Sequence, residues 1–522
     1  IGTYVKGEDE LSSDVGDKAN DAIRVNGSQV RARCVGEGGN LGLTQLGRVE
    51  YVLYGGDAGG ASKEGGRVNT DFIDNSAGVD TSDHEVNIKI LLDQVVKDGD
   101  LTEKQRNRLL ASMTDQVGSL VLRDNYEQNL ALANAAAFAP GLLHVHEDWM
   151  KRLERNGVLN RELEGLPNSR EVRRRLERGE GLTVPELSVL LAWTKILLAE
   201  ELLDSDLPDD PYLASDLRSY FPTAMQEGFS EQIGAHPLRR QIIVTQVVND
   251  LVNGAGMTYW PRLAGETGAT PAELTRANFV AREIFGSPPL RQELTTYDNV
   301  LDAAVQTRMR VEMRTLVERA SRWLVNNRRP PLDSRATVDY FTESVQRVMA
   351  QLPDLMSGRE QAAFVDRRDA LIARGVPEEL ATRVAVFPPA YMLLGIIEIA
   401  NGENLDPEQV ARLHFALGER LGLPALVGRI LALPRKDRWQ TMARAALRDD
   451  LHSVHAQLTR KVLLETSSED SIPARVAAWE ERDSERVSRA AATLEEICAD
   501  EVADLARVSV GLRVVRGLLG TG

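Results

Sequence analysis

Cysteine is nearly absent: Cys34 and Cys498 are the two thiols in 522 residues. Two cysteines cannot make a disulfide framework, so the fold must rest on buried apolar surface, and a reduced, cytoplasmic setting is expected. Basic charge is also scarce. With 62 Lys and Arg against 78 Asp and Glu the formal net charge is −16, which argues against a nucleic-acid surface, since that needs a concentrated cationic face. Aromatic residues make up only 5%, and Trp149, Trp193, Trp260, Trp323, Trp439 and Trp479 are spread too evenly for a stacking platform, so they are expected to anchor cores. Long apolar runs are missing too. The best two, Leu187 to Leu203 and Tyr391 to Ala400, are interrupted by Lys195 and Glu398, and no membrane span is expected. The start, Ile1 to Lys6, has neither an initiator Met nor a basic-then-apolar leader, so the chain reads as a piece cut from something longer. No fixed-period repeat supports a solenoid.

What is present falls into two styles of text. From Ile1 to about Gly99, short strand-like runs alternate with helical patterns and many glycines, as in α/β domains. Asp17 is placed to cap a helix through Ile23, Arg31 to Val35 reads as a strand, Arg48 to Tyr54 fits a strand or a short helix, and Asp57 to Gly66 reads as a surface loop. From Thr102 onward strands nearly vanish. Helix starts are signalled at Thr102, Thr183 and Thr270, the last two with an early Pro and a third-position Glu. Breaks are expected at Pro140-Gly141, Leu207 to Pro211, Pro288-Pro289, Pro330-Pro331 and Pro388-Pro389, because a residue before Pro avoids helical geometry. About a dozen helices result. The last segment, Val502 to Leu519, is amphipathic and carries Arg507, Arg513 and Arg516, which suits either a solvated face or docking on a partner chain. Residues 1–98, 99–140 and 141–522 are the expected divisions, and the whole is predominantly helical.

Two loops carry the chemistry. Gly36-Glu37-Gly38-Gly39-Asn40 follows the strand-like run; its glycines let backbone approach a flat ligand, and the Asn40 amide can both donate and accept. The second loop, Asn75 to Ser82, puts Asn75 before two small residues and Ser82 at the mouth of a helix whose first turn is acidic. Gly36-x-Gly38-x-x-x-Gly42 mimics a dinucleotide fingerprint, but Leu43 to Tyr54 is too short to be the helix that such a fingerprint requires.

The spacing Glu-Gly-x-Asn, then Asn-x-x-Gly-Val-x-x-Ser-x-x-Glu, is met by Glu37, Gly38, Asn40 and by Asn75, Gly78, Val79, Ser82, Glu85. It resembles the late active-site signature of glutamate dehydrogenases. The wider text over 16–27, 35–51 and 68–92 resembles the large NAD-specific bacterial class, densely from Ile1 to about Asn134. This resemblance implies the end of a Rossmann-type dinucleotide-binding domain over 1–98, connecting helices that complete the catalytic region over 99–140, and an all-helical C-terminal domain over 141–522. It implies NAD as cofactor, held by Gly38, Gly39, Asn40 and Asn75, and L-glutamate, 2-oxoglutarate and ammonia as substrates, with Ser82, Val79 and Asn75 at the substrate. Ser82 would hydrogen-bond the side-chain carboxylate, where related leucine and phenylalanine dehydrogenases have an apolar residue. The family's catalytic lysine and aspartate are expected upstream of Ile1, leaving this piece inactive alone. A homotetramer and a forkhead-associated-domain regulator are further implications.

Residue by residue, plainer readings stand beside these. Ser82 also suits a helix N-cap, Val79 a core position, and the glycine loops simple turns on a helical interaction scaffold. No metal is assigned. His452 and His455 read as a polar surface pair, His144 and His146 lack the spacing of a zinc helix, Cys34 reads as a small buried hydrophobe, and Arg170 to Arg178 reads as a solvated helix face.

Overall fold

The computed structural model describes residues 2–38, 41–56, 65–435, 437–499, 502 and 504–520. The chain forms two compact units, Ile1–Thr275 and Arg276–Gly522. Both are built mainly of helices.

In the first unit, β1 (Val5–Lys6) and β2 (Val25–Asn26) pair in parallel. Single parallel bridges join Val5 to Leu43 and Cys34 to Arg67. The expected strand at Arg31 to Val35 is therefore extended chain held at one point, with Val35 N donating to Arg67 O at 2.9 Å and Arg67 N to Arg33 O at 2.9 Å. Cys34 is exposed, against the expectation of burial. A small core of Val5, Leu43, Tyr51 and Val68 closes this region. Helix α1 (Gln45–Tyr54) settles the ambiguous segment, and its start is fixed by Thr44, whose hydroxyl accepts from Gly47 N at 3.0 Å. Asp17 caps no helix with its side chain; it accepts instead from Thr3 N at 2.8 Å and Asn20 Nδ2 at 2.7 Å, beside a 3₁₀ turn over Lys18–Ile23. The glycine-rich loop expected at Asp57 to Gly66 falls mostly at 57–64, outside the described residues.

Helix α2 (Asp71–Asp74) turns at Asn75 into α3 (Ser76–Lys97), which packs along α4 (Glu103–Arg155). The break expected at Pro140 does not occur: α4 runs through it for 53 residues, roughly 80 Å at 1.5 Å per residue. A proline inside a helix loses one backbone bond and costs about 3 kcal/mol. Burial of Ala139, Leu143, Trp149 and Met150 on the same helix offsets that loss. At Gly181 the neighbouring loop comes so close that a Cβ would lie 2.5 Å from the Ala139 carbonyl carbon. Proline spacing alone cannot report such tertiary support.

Helices α5 (Ser169–Arg178), α6 (Val184–Leu203), α7 (Ala214–Tyr220) and α8 (Arg239–Ala255) complete the bundle around α4. The Thr183 signal is realised, since its N and Oγ1 donate to Glu186 Oε2 at 2.7 and 2.9 Å. The same carboxylate receives Arg175 through a two-pronged pair at 2.7 and 2.9 Å. Arg175 is thus the exception to the solvated face of Arg170 to Arg178: it is buried while its neighbours Arg173, Arg174 and Arg178 are exposed.

The second unit is helical wherever it is described. Counting from Glu103, the described residues form twenty-two α-helices instead of a dozen, because pieces as short as Phe387–Ala390 leave no periodic trace in sequence. Among them, α9 (Ala303–Asn327), α10 (Leu393–Glu403), α11 (Pro407–Arg420) and α12 (Arg438–Glu465) surround a histidine cluster. His455 and His414 stack with ring centroids 3.5 Å apart. His455 Nε2 lies 2.9 Å from His414 O, and His414 Nδ1 lies 2.8 Å from Thr459 Oγ1. The surface pair expected at His452 and His455 is therefore wrong: His455 is buried, and His452 packs edge-on against Tyr391. Next to the cluster is a cavity of about 510 Å³ lined by Arg319, Trp323, Tyr391, Glu398, His452 and Arg460, with both signs of charge in its wall. Trp149, Trp260 and Trp479 are buried as core anchors should be, whereas Trp439 is 72% exposed. The terminal helix Leu505–Gly517 leaves Arg507, Arg513 and Arg516 on its exposed side.

The buried Arg175–Glu186 pair and the buried His455 each have a measurable effect on stability. Glu186→Ala removes a helix cap and strands Arg175, so urea unfolding should show a loss of about 3–5 kcal/mol. Burial pulls His455 down from 6.5 to about 4. The unfolded chain therefore takes up the proton first, and stability present above pH 6.5 is lost as pH falls toward 4, by on the order of 3 kcal/mol for this one group. Unfolding measured across that window should show the slope, and His455→Asn should reduce it, leaving the part that His414 and His452 contribute.

Candidate functional site

The two motif loops meet through a buried ion pair. Glu37 is buried, and its carboxylate takes Arg48 Nε at 2.5 Å and Nη2 at 3.2 Å. Arg48 comes from α1 and reaches on to Asp71 Oδ1 at 2.9 Å, at the start of α2. The same Glu37 carboxylate accepts from Leu43 N at 3.2 Å, closing the glycine loop on itself. Glu37 N then donates to Asp74 Oδ2 at 2.9 Å. Gly38 is thereby held next to the α2–α3 corner that carries Asn75. Glu37, which sequence matched only as part of a pattern, is the anchor of the arrangement.

The corner is braced from α4. Asn125 Nδ2 donates to Ile73 O at 3.0 Å and to Ser76 Oγ at 2.9 Å, while Asn69 Nδ2 reaches Asp74 Oδ1 at 2.7 Å and Asn129 Oδ1 at 2.5 Å. Ala77 and Gly78 are helical, so α3 begins at Ser76 and Ser82 is its seventh residue. The expectation that Ser82 sits at a helix mouth is corrected, and so is the acidic first turn, which has no acidic residue. The positive helix end does not reach a side chain two turns in. Gly78 has a local reason to be glycine, since a Cβ there would lie 3.1 Å from Asn75 Oδ1.

Spacings of four, three and four residues put Asn75, Val79, Ser82 and Val86 on one face of α3. All four are exposed, Val79 by 75%. A core role for Val79 is thus excluded within this chain. Asn75 and Ser82 stand roughly 10 Å apart along the axis, seven residues at 1.5 Å each. Gly38 is exposed as well, and a Cβ at Gly36 or Gly38 would touch nothing in the chain. No protein contact demands glycine there. Gly39 and Asn40 lie outside the described residues. The structure therefore brings Gly38, Asn75, Val79 and Ser82 onto neighbouring exposed surface.

The opposite face of α3 holds a polar cluster that the sequence reading passed over. His84 is 1% exposed and stacks on Tyr220 of α7 at 4.1 Å. Tyr220 donates to Asp83 Oδ2 at 2.7 Å and accepts from Asn87 Nδ2 at 2.9 Å. His236 Nε2 lies 3.1 Å from Asn87 O. Burial, with the nearby carboxylates Asp124 and Asp83, raises the Asp80 carboxyl to about 6. Burial lowers the Lys195 ammonium to about 8, where its Nζ donates to Gln128 Oε1 at 2.8 Å and Asn249 Oδ1 at 2.9 Å. Burial also lowers His84, which keeps its ring neutral near pH 7. The readable signal was Asp80-x-x-x-His84, two ligand-type side chains one helical turn apart.

If the Glu37–Arg48 pair sets the geometry of the motif loops, Arg48→Ala should lower stability by about 3–5 kcal/mol, because it leaves a carboxylate buried without its cation. Limited proteolysis should then show faster cutting near Gly38, with Glu37→Gln milder on both readouts.

Two family models match the chain: "Glutamate dehydrogenase, C-terminal" over residues 179–517 and "Bacterial NAD-glutamate dehydrogenase, catalytic domain" over residues 1–135. Among curated relatives, the NAD-specific glutamate dehydrogenase of Mycobacterium tuberculosis is 43% identical over 521 residues, covering 100% of this chain and 31% of the relative. Its namesake from Pseudomonas aeruginosa is 42% identical over 518 residues, covering 99% and 31%, and that of Halomonas elongata is 42% identical over 463 residues, covering 89% and 28%. The chain thus spans less than a third of the length of these relatives. By its similarity along the whole length, the chain belongs to the bacterial NAD-specific glutamate dehydrogenase family.

Proposed function

We propose that this chain is the C-terminal portion of an NAD-dependent glutamate dehydrogenase, which converts L-glutamate to 2-oxoglutarate and ammonia. The observation that carries the proposal is the exposed row Asn75, Val79 and Ser82 on α3, with Gly38 pinned beside it through Glu37 and Asp74. An amino-acid dehydrogenase must hold a flat ring against a substrate Cα, and this needs accessible backbone and amides more than reactive side chains. The open space over Gly36 and Gly38 and the exposed Asn75 amide fit the nicotinamide end of NAD. When bound, NAD accepts the hydride from the substrate.

On this reading Asn75 bridges cofactor and substrate, Val79 lies along the substrate chain, and Ser82 donates to the side-chain carboxylate about two turns away. With Ser82 inside the helix, the serine contributes its own hydroxyl and gains nothing from the helix end. Gly38, Gly39 and Asn40 complete the cofactor wall. The short parallel pairing of β1 and β2 with its bridges belongs, in this proposal, to the end of a Rossmann-type domain within 1–98. Residues 99–140 complete the catalytic region, and 141–522 form the helical C-terminal domain. The family's lysine and aspartate would be supplied by the part of the enzyme before Ile1, so this portion is inactive by itself. A cytoplasmic homotetramer, regulated by a forkhead-associated-domain protein, completes the proposal.

Ser82→Ala in the intact enzyme should lose on the order of 1.5–3 kcal/mol of glutamate recognition, the range for hydrogen bonds to charged groups, or roughly 10- to 150-fold in kcat/KM. Steady-state kinetics with glutamate and leucine decide the matter. Unchanged efficiency with glutamate would remove Ser82 from the site.

A further inference from the structure

Opposite the substrate row, α3 carries an arrangement that the dehydrogenase reading does not use. One ligand atom each from Asp80, His84 and Asp124 lies within 4.8 Å of the others, and Asp80 Oδ1 is 3.9 Å from His84 Nε2. His84 is 1% exposed, and neither of its ring nitrogens has a hydrogen-bond partner. A buried imidazole with both nitrogens unmatched is costly, since buried polar groups in folded proteins are almost always paired. The nearby groups that could relieve it are committed elsewhere. Asp83 accepts from Tyr220, Lys195 donates to two amides, and Arg123 is paired with Asp124 at 3.1 Å. Two carboxylates therefore lie close to one imidazole, and one of them, Asp124, is also paired with Arg123.

We propose that Asp80, His84 and Asp124 form a binding site for one divalent transition-metal ion of the zinc class, clamping α3 to α4. A nitrogen and two carboxylate oxygens suit zinc-type ions better than calcium or magnesium, which favour all-oxygen shells. Bonds of about 2.0–2.2 Å place neighbouring tetrahedral ligands roughly 3.3 Å apart. The observed separations, 3.9 Å for Asp80 and His84 and at most 4.8 Å for the others, therefore need to close by up to about 1.5 Å. The Tyr220 ring fixes the imidazole plane from one side, and the partly exposed carboxylates of Asp80 and Asp124 leave a route of entry and a fourth position for water. The ion would lock the helix that presents Asn75, Val79 and Ser82 against the longest helix of the first unit. The site stands on its own geometry and does not depend on the substrate assignment.

The test is metal content and binding. Protein stripped with a chelator and then titrated with Zn²⁺ should take up one ion per chain at this site, with a rise in unfolding temperature. His84→Ala and, separately, Asp124→Asn should weaken that event by roughly tenfold to a hundredfold or more. Far-UV circular dichroism identifies any variant that fails to fold, and the partly exposed Asp124 keeps the test open if His84→Ala is such a variant. Absence of zinc uptake by the stripped wild-type protein would overturn the proposal, as would equal uptake by wild type and the folded variants.

Discussion

One buried carboxylate turns two separate stretches of sequence into a single surface. Glu37 takes Arg48 from α1 and, through its backbone, binds Asp74 at the α2–α3 corner, while Arg48 reaches on to Asp71. Buried charges are retained when their partners and hydrogen bonds are complete, and the exposed groups on the rim inherit that rigidity. Glu37 and Asp74 hold the chain at Gly38 next to the corner that carries Asn75. A site made of backbone and amides depends on such support because it has little chemistry of its own to tolerate misplacement.

Helix α3 divides its labour by face. Its exposed row offers an amide, a methyl-bearing side chain and a hydroxyl, while its hidden row offers Asp80, His84 and Asn87 to the neighbouring helices. Position on the exposed face would therefore be sensitive to what happens on the hidden one. The first matched region ends at 135, within α4, and the second begins at 179, just after α5, so α4 and α5 span the stretch between them. Tyr220 of α7, which donates to Asp83 of α3 and accepts from Asn87, links the two matched regions in space.

The same logic of matched buried charge recurs elsewhere, with different outcomes. Arg175 and Glu186 satisfy each other while capping α6. The histidines around α12 solve the problem by staying neutral, since burial pulls His414, His452 and His455 well down.

The sequence by itself determined the family, the helical character after Thr102, the helix starts at Thr102, Thr183 and Thr270, and the spacing of the motif residues Asn75, Val79 and Ser82. These are local properties: cap chemistry and a 3.6-residue period are written in a few neighbouring side chains. Only the tertiary structure decided that α4 runs through Pro140, that Ser82 lies two turns inside its helix, that Cys34 is exposed, and that His455 is buried. Each outcome depends on partners distant in sequence: Gly181 and the α4 packing, the Asn125 and Asn129 amides, Arg67, and His414. Pairing energies of that kind leave no trace in a window of adjacent residues, and for the same reason the Glu37–Arg48 pair and the Asp80–His84–Asp124 group became visible only once the helices were assembled.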